Sequence, residues 1–255
     1  MNIIWNDKGF CLNDVQFQMV VNLEDLFRLK DENGLVVGKT RDVIQTYLEV
    51  LENFDTPRIF ELGIFRGGST AFFNELLRPK KLIAVDFMQK ANTAFTAYLE
   101  SSPNGQNVRP YFQVDQADTK KLNDIYAAEL GDGPLDLVID DASHLLEHTR
   151  ISFNNLFPKL RQGGLYIIED WSWAHVYDPD KIFDKKFGGK PPMSNLIIEI
   201  MLASAYHKDL ISEVRVFPTY AIIRKGNAET GKDFDIAKEC FHQGECVGGG
   251  DFFSR

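Results

Sequence analysis

The chain has 255 residues, 44% apolar and 25% charged, with a net charge of −9 at neutral pH. That composition is ordinary for a folded globular protein and excludes a chain dominated by disorder. The acidic balance excludes a general affinity for nucleic-acid backbone or anionic membrane, since both need clustered positive charge.

Residues 1–57 begin MNIIWNDKGF, which carries neither the basic nor the apolar region of a secretory signal. A helical stretch follows at Thr40–Asn53, with Val43, Tyr47, Val50 and Leu51 on one stripe, so this segment is expected to be a helical cap or extension. From residue 58 two kinds of segment alternate. Arg58–Leu62, Lys81–Asp86, Val108–Val114, Leu135–Asp140 and Gly164–Ile168 are short and apolar and read as buried parallel strands. Between them Ser69–Leu77, Ala91–Glu100, Asp118–Ala127 and His148–Phe157 read as helices. The rhythm predicts an α/β fold with a Rossmann-like, doubly wound open sheet.

The polar stretch 171–194 is long for a connection and is expected to be a lid or binding loop. Asn195–His207 reads as a helix, and its apolar run Leu196–Ala205, interrupted by Glu199, is far shorter than the roughly 18 residues of a membrane span. Strands follow at Ser212–Phe217 and Tyr220–Arg224, separated only by Pro218 and Thr219. So short a link holds no crossover helix, and the last strand must run antiparallel to its neighbour. Seven strands result, six parallel and the last reversed, in a domain over residues 58–225 with a C-terminal tail at 226–255. Cys11, Cys240 and Cys246 form no disulfide framework and suit a reducing, cytoplasmic compartment. The tail motif CFHQGEC offers two Cys and one His, short of four zinc ligands, and reads as ordinary thiols.

The first strand leads into Glu61-Leu-Gly63-Ile-Phe-Arg-Gly67-Gly68-Ser69, a strand-to-helix loop. Glycine lets a ligand approach the backbone there, and the helix N-terminus offers amide donors. The spacing is not G-x-G-x-x-G, and the leading acid suits a cationic ligand better than a pyrophosphate. Asp86 ends the second strand, 23 residues beyond Gly63, where a carboxylate accepts hydrogen bonds from ribose hydroxyls. Asp115, Gln116 and Asp118 end the third strand, where a base edge is read but where polar residues are also ordinary. Asp140-Asp141-Ala142-Ser143-His144 follows the fourth strand and Glu169-Asp170 the fifth. Carboxylates gathered from adjacent strand ends repel one another unless a cation joins them. Oxygen donors select a hard ion, Mg²⁺ with Mn²⁺ or Ca²⁺ as substitutes. His144, three residues after Asp141, is placed as a general base. His144-Leu-Leu-Glu147-His148 also fits the inverted zinc-protease pattern, but His144 falls at the strand-to-helix turn and no third ligand is evident.

The segments FELGIFRGGST (60–70), AVDF (84–87), VDQAD (114–118), IDDASH (139–144) and LFPKLRQGGLYIIEDW (156–171) carry a resemblance. Together they resemble a class I S-adenosylmethionine-dependent methyltransferase, and more closely the metal-dependent O-methyltransferases of the macrocin and mycinamicin sugar type. The resemblance implies S-adenosylmethionine bound at Glu61, Gly63, Gly67, Gly68, Ser69, Asp86, Asp115 and Gln116. It implies Mg²⁺ at Asp141, Glu169 and Asp170, with His144 as the base. Catechol O-methyltransferases are similar in arrangement, and the 28-residue spacing from Asp141 to Glu169 is compatible with theirs. The expected partner is a small-molecule acceptor, a sugar or other vicinal diol, with no nucleic acid and no membrane; homo-oligomer formation is left open. A hydroxylase of the cephalosporin type and a non-catalytic binding protein remain as alternative readings of the same pattern.

Overall fold

Gly9-Phe-Cys-Leu and Val15-Gln-Phe-Gln-Met alternate inward and outward side chains, and Asn13-Asp14 stands between them. Both turn residues adopt positive φ, 50° and 67°, the conformation of a two-residue hairpin loop that Asn and Asp tolerate. The result is an antiparallel meander of β1 (Ile3–Asn6), β2 (Gly9–Leu12) and β3 (Val15–Met19). After the short helix α1 (Leu23–Arg28), β4 (Leu35–Val37) joins parallel to β3. The N-terminal segment is thus a four-stranded sheet followed by a helix, where a helical cap was expected. The expected helix itself is α2 (Arg41–Val50), capped by the Thr40 hydroxyl and burying Ile44 and Tyr47.

The computed structural model describes residues 3–29, 34–176, 187–231 and 233–253, and divides into two units, Met1–Asp115 and Gln116–Arg255. In the first unit β5 (Arg58–Leu62), β6 (Lys81–Asp86) and β7 (Val108–Phe112) run parallel. Helices α3 (Gly68–Leu77) and α4 (Thr93–Ser101) connect them. Helix α3 is buried at every position except Ser69, because the N-terminal sheet covers it. The Phe72 ring meets Phe10 at 5.7 Å and Phe17 at 6.3 Å, both edge-on, while Phe10 and Phe17 stack at 5.0 Å. Ring pairs of this kind add about 0.5–1.5 kcal/mol each beyond the area they bury.

In the second unit α5 (Thr119–Leu130) is capped by Asp118, whose carboxylate accepts from Lys121 N at 2.9 Å. β8 (Leu135–Asp140), α6 (Leu146–Leu156) and β9 (Leu160–Glu169) follow, with β8 and β9 parallel. β9 begins four residues before the expected Gly164, since Gly163 and Gly164 lie inside the strand, not ahead of it. Helix α7 (Ser194–Tyr206) leads to β10 (Ile211–Val216) and β11 (Tyr220–Lys225). β11 pairs antiparallel with both β9 and β10, so it alone is reversed, as the two-residue link requires. The strand order is β5-β6-β7 in the first unit and β10-β11-β9-β8 in the second, seven strands in all. Of the stretch 171–194, residues 177–186 lie outside the described residues, and with them Tyr177 and the middle of the expected lid.

The expected tail at 226–255 is anchored by polar side chains. Glu199, fully buried on α7, receives both Arg150 Nε at 3.0 Å and Arg150 Nη2 at 2.9 Å, and its Oε1 also accepts from Gly249 N at 2.7 Å. Asn195 reaches Asp251 and Phe252, and Asn154 reaches Asp235 and Ile236. Removing one partner of a buried, hydrogen-bonded ion pair leaves the other desolvated. Glu199→Ala is therefore expected to cost about 3–5 kcal/mol of stability, read by urea denaturation, with Arg150→Ala costing a comparable amount.

Candidate active site

The glycine loop in the first unit is held by Asp86. Its Oδ2 accepts from Ile64 N and Phe65 N, each at 2.7 Å, and its Oδ1 accepts from Met88 N at 2.7 Å. The carboxylate expected to meet ribose hydroxyls thus first organises the loop that surrounds it. Glu61, the next-to-last residue of β5, is fully buried. Gly63 has φ 97° and Gly67, the N-cap of α3, has φ 76°. A Cβ on Gly67 would lie 2.1 Å from the Phe95 ring, and one on Gly68 would lie 1.9 Å from the Val36 carbonyl oxygen. Gly67 and Gly68 are therefore required by packing within the protein, whatever else approaches the loop. Ser69 is half-buried in the first turn of α3, and Asp115 is half-buried beyond β7.

Gln116 is turned inward in the second unit. Its Nε2 donates to Asp140 Oδ1 at 3.1 Å and lies 3.2 Å from Ser152 Oγ, while its Oε1 accepts from Ser143 N at 2.7 Å. A side chain expected to read a cofactor base is thus already engaged on both amide atoms. The group it serves is Asp140, the buried last residue of β8. Asp140 Oδ2 also accepts from Ser152 Oγ at 2.6 Å and from the Tyr166 hydroxyl at 3.0 Å. Burial pushes the Asp140 carboxyl up to about 6, against the opposing pull of those hydrogen bonds and of nearby His144. The same burial, together with the adjacent Asp140 charge, drives the Tyr166 hydroxyl well above its ordinary range. Sequence reasoning did not connect Asp140, Ser152 and Tyr166. They lie on a strand, a helix and a further strand, and only the fold brings them together.

Beyond this network the chain turns out at Asp141. His144 takes a left-handed conformation with φ 56°, and Asp170, just after β9, does the same with φ 51°. Non-glycine residues held there cost of order 1–3 kcal/mol each and persist only where the surroundings over-determine them. His144 Nε2 lies 3.8 Å from Asp141 Oδ1 and 3.8 Å from Asp170 Oδ2. Ligand atoms of Asp141, His144 and Asp170 all fall within 4.8 Å of one another. Among the described residues this is the one such group of three or more His, Cys, Asp and Glu side chains.

Three of the four residues expected around the metal therefore converge. Glu169 is not in that group; it is buried as the last residue of β9, in register with Tyr220. Its neighbour Asp170 reaches the cluster only because the backbone turns left-handed as the strand ends. The inverted zinc-protease pattern does not hold together either. Helix α6 starts at Leu146, after His144, so His144 and His148 do not share a helical stripe. The Cys and His residues of the tail also stand outside the group, and all three cysteines are free thiols. Two further contacts bear on the site. Trp173 Nε1 donates to the His144 carbonyl oxygen at 3.0 Å, and Trp171 Nε1 donates to the Phe217 carbonyl oxygen at 2.9 Å.

A separate cleft of about 720 Å³ is lined by residues including His207, Asp209, Glu229, Thr230 and Phe234, none of which belongs to this cluster. No helix among the described residues is long and apolar enough to cross a membrane.

Residues 60–171 match the methyltransferase-domain family. The 8-demethyl-8-α-L-rhamnosyl tetracenomycin-C 2′-O-methyltransferase of Streptomyces olivaceus is 48% identical over 162 residues, 56% of this chain and 39% of that protein. The mycinamicin VI 2″-O-methyltransferase of Micromonospora griseorubida is 28% identical over 177 residues, 64% of this chain and 39% of that protein. The demethylmacrocin O-methyltransferase of Streptomyces fradiae is 39% identical over 107 residues, 42% of this chain and 26% of that protein. The chain thus spans between 26% and 39% of the length of these relatives. Among solved structures, the MycE methyltransferase of the mycinamycin biosynthetic pathway, in complex with Mg, SAH and mycinamycin VI, matches with a TM-score of 0.53 at 26% identity, over 71% of this chain and 48% of that one. The O-methyltransferase TomG of Streptomyces achromogenes, at 16% identity and TM-score 0.54 over 80% of this chain and 86% of that one, shares the fold. Residues 60–171 thus match a methyltransferase-domain model, and the chain is similar to these O-methyltransferases.

The first-unit loop gives a direct prediction. Hydrogen bonds to a charged acceptor are worth about 1.5–3 kcal/mol, so Asp86→Ala should speed amide exchange at Ile64, Phe65 and Met88 by about ten- to hundredfold. Hydrogen exchange read by NMR checks it, and unchanged protection at all three amides would remove Asp86 from the role of loop organiser.

Proposed function

We propose that the chain is a metal-dependent O-methyltransferase that moves a methyl group from S-adenosylmethionine to a hydroxyl of a small molecule, a sugar or other vicinal-diol natural product. The observation that carries this reading is the convergence of Asp141, His144 and Asp170 beyond the ends of β8 and β9. The relatives' acceptors, sugars of macrolides and tetracenomycin, favour a glycosylated natural product as substrate. We take residues 58–225 as the methyltransferase domain and, from the sparse free thiols, a reducing cytoplasm as its compartment.

The donor set suits a hard cation. Two carboxylates from different strand ends meet, and Asp170 is open enough for water or substrate to share the coordination, as Mg²⁺ prefers. Asp141 and Asp170 would hold the ion. Bound there, it supplies positive charge beside the acceptor hydroxyl and so favours loss of the hydroxyl proton. Mn²⁺ or Ca²⁺ would occupy the same donors as substitutes.

The chain's own groups do the rest. His144 Nε2 is beyond hydrogen-bonding distance of either carboxylate, so it is free of a committed bond to them and is placed to take the acceptor proton. A proton arriving on that nitrogen lands between Asp141 and Asp170. In the first unit the buried Glu61 carboxylate suits the cationic ammonium end of the donor, and the Asp86-tied loop presents the N-terminus of α3. Asp115 remains the candidate for the donor's adenine edge. Gln116 would serve it indirectly, through the turn at Ser143.

His144→Gln should lower turnover about 10²- to 10⁴-fold while leaving donor affinity unchanged. Asp141→Asn and Asp170→Asn should remove most activity, and Glu169→Gln should cost less than either, because Glu169 stands outside the converging set. Chelation should stop turnover and Mg²⁺ should restore it, measured by mass spectrometry with a glycosylated acceptor and labelled donor. Full turnover after exhaustive chelation would overturn the metal-dependent reading.

A further inference from the structure

The turn that carries His144 is fixed on its N-terminal side by the Asp140 network, through the bond from Ser143 N to Gln116 Oε1. Its C-terminal side depends on an indole. We infer that Trp173 is a positioning residue for His144, holding the imidazole at the Asp141 and Asp170 carboxylates through the His144 backbone.

The indole is 9% exposed, and its Nε1 donates to the His144 carbonyl oxygen at 3.0 Å. Its ring is held in turn by Phe187, stacked at 4.3 Å with 24° between the planes. The bond falls on a peptide under strain, since His144 is a β-substituted residue at φ 56°. Three hydrogen bonds over-determine that conformation: Ser143 N to Gln116, Leu145 N to Ser143 Oγ at 3.2 Å, and His144 O from Trp173. With the carbonyl released, ψ of His144 is no longer held, and relaxation of the left-handed turn would move Nε2 from its place 3.8 Å from each carboxylate.

The position of Trp173 in the chain gives the bond a second consequence. Asp141 and His144 follow β8, whereas Asp170 follows β9. Trp173 lies in the 3₁₀ turn Trp173–His175, three residues after Asp170. Its bond to the His144 carbonyl links the segment bearing one carboxylate to the loop bearing the imidazole. Partners of this kind, one shell out from a metal site, typically change metal affinity or activity about 10- to 100-fold when lost.

This inference rests on the metal-dependent reading, and its test separates the two. Trp173→Phe keeps a ring to stack on Phe187 and removes the donor. Replacement by 3-benzothienylalanine, which has the indole shape without the N–H, guards against a folding defect. Four quantities are read: Mn²⁺ affinity by calorimetry with the metal alone, the Cε1–Hε1 NMR cross-peak of the His144 ring, kcat and the donor Kd. Both replacements should weaken Mn²⁺ binding and lower kcat by about 10- to 100-fold, move the cross-peak and leave the donor Kd unchanged. A cross-peak that stays in place, with Mn²⁺ affinity within about twofold of the unmodified protein, would overturn the positioning role. If both readouts move but the unmodified protein methylates no acceptor, the functional reading fails and the positioning role stands.

Discussion

The turn that presents Asp141 and His144 rests on one buried carboxylate. Asp140 sits at the end of β8, withdrawn from water, where an ionised group is tolerated only if its lone pairs are met. Ser152 from α6, Tyr166 from β9 and Gln116 meet them. Because these donors come from separate elements, satisfying Asp140 fixes strand, helix and neighbouring strand against one another. Gln116 has one amide atom left over, and it spends that atom on Ser143 N. The desolvation cost of Asp140 is thereby converted into a defined turn, and the turn is what presents Asp141 and His144.

The strain in that turn has the same origin. His144 and Asp170 both occupy the left-handed region, and neither is glycine. Local preference alone would relax them, so a rigid frame beneath is a condition of their conformation, not an accessory to it. In unstrained geometry, residues directly after two parallel strands would continue or turn away in ways set by loop sequence. Here the two left-handed steps bring Asp141, His144 and Asp170 within 4.8 Å. The cluster is therefore a product of backbone conformation as much as of residue identity.

This explains which parts were legible in the sequence. Arg58–Leu62, Lys81–Asp86 and Leu135–Asp140 are continuous apolar runs ended by charge or glycine, and their limits agree with the observed strands. The reversed strand followed from Pro218 and Thr219, since chain length alone forbids a crossover there. The N-terminal sheet was not legible in the same way. β1 to β4 are three to five residues long, too short for periodicity to stand out, and the decisive signal was the Asn13-Asp14 turn. At the site, Asp141, Asp170 and His144 stand together because strand ends gather them. The place of Glu169 was not readable, because it depends on whether the chain leaves β9 extended or left-handed at the next residue.

The glycine loop shows how one sequence signal serves two causes. Gly67 and Gly68 invite the inference of close ligand approach, yet each is already required by a neighbour inside the fold: Phe95 for one, the Val36 carbonyl for the other. Their glycine identity is therefore evidence about packing first. The same holds for Gln116, whose amide lies at a strand end where ligands are read but is committed to Asp140 and Ser143. What distinguishes the loop as a binding element is instead the set of groups that packing does not account for by shape. These are an acid at Glu61, fully buried on a strand, and a carboxylate at Asp86 that gathers three backbone amides around itself. Under the proposed methyltransferase reading, this buried acid and the loop ordered about Asp86 are the groups that would hold the cationic donor.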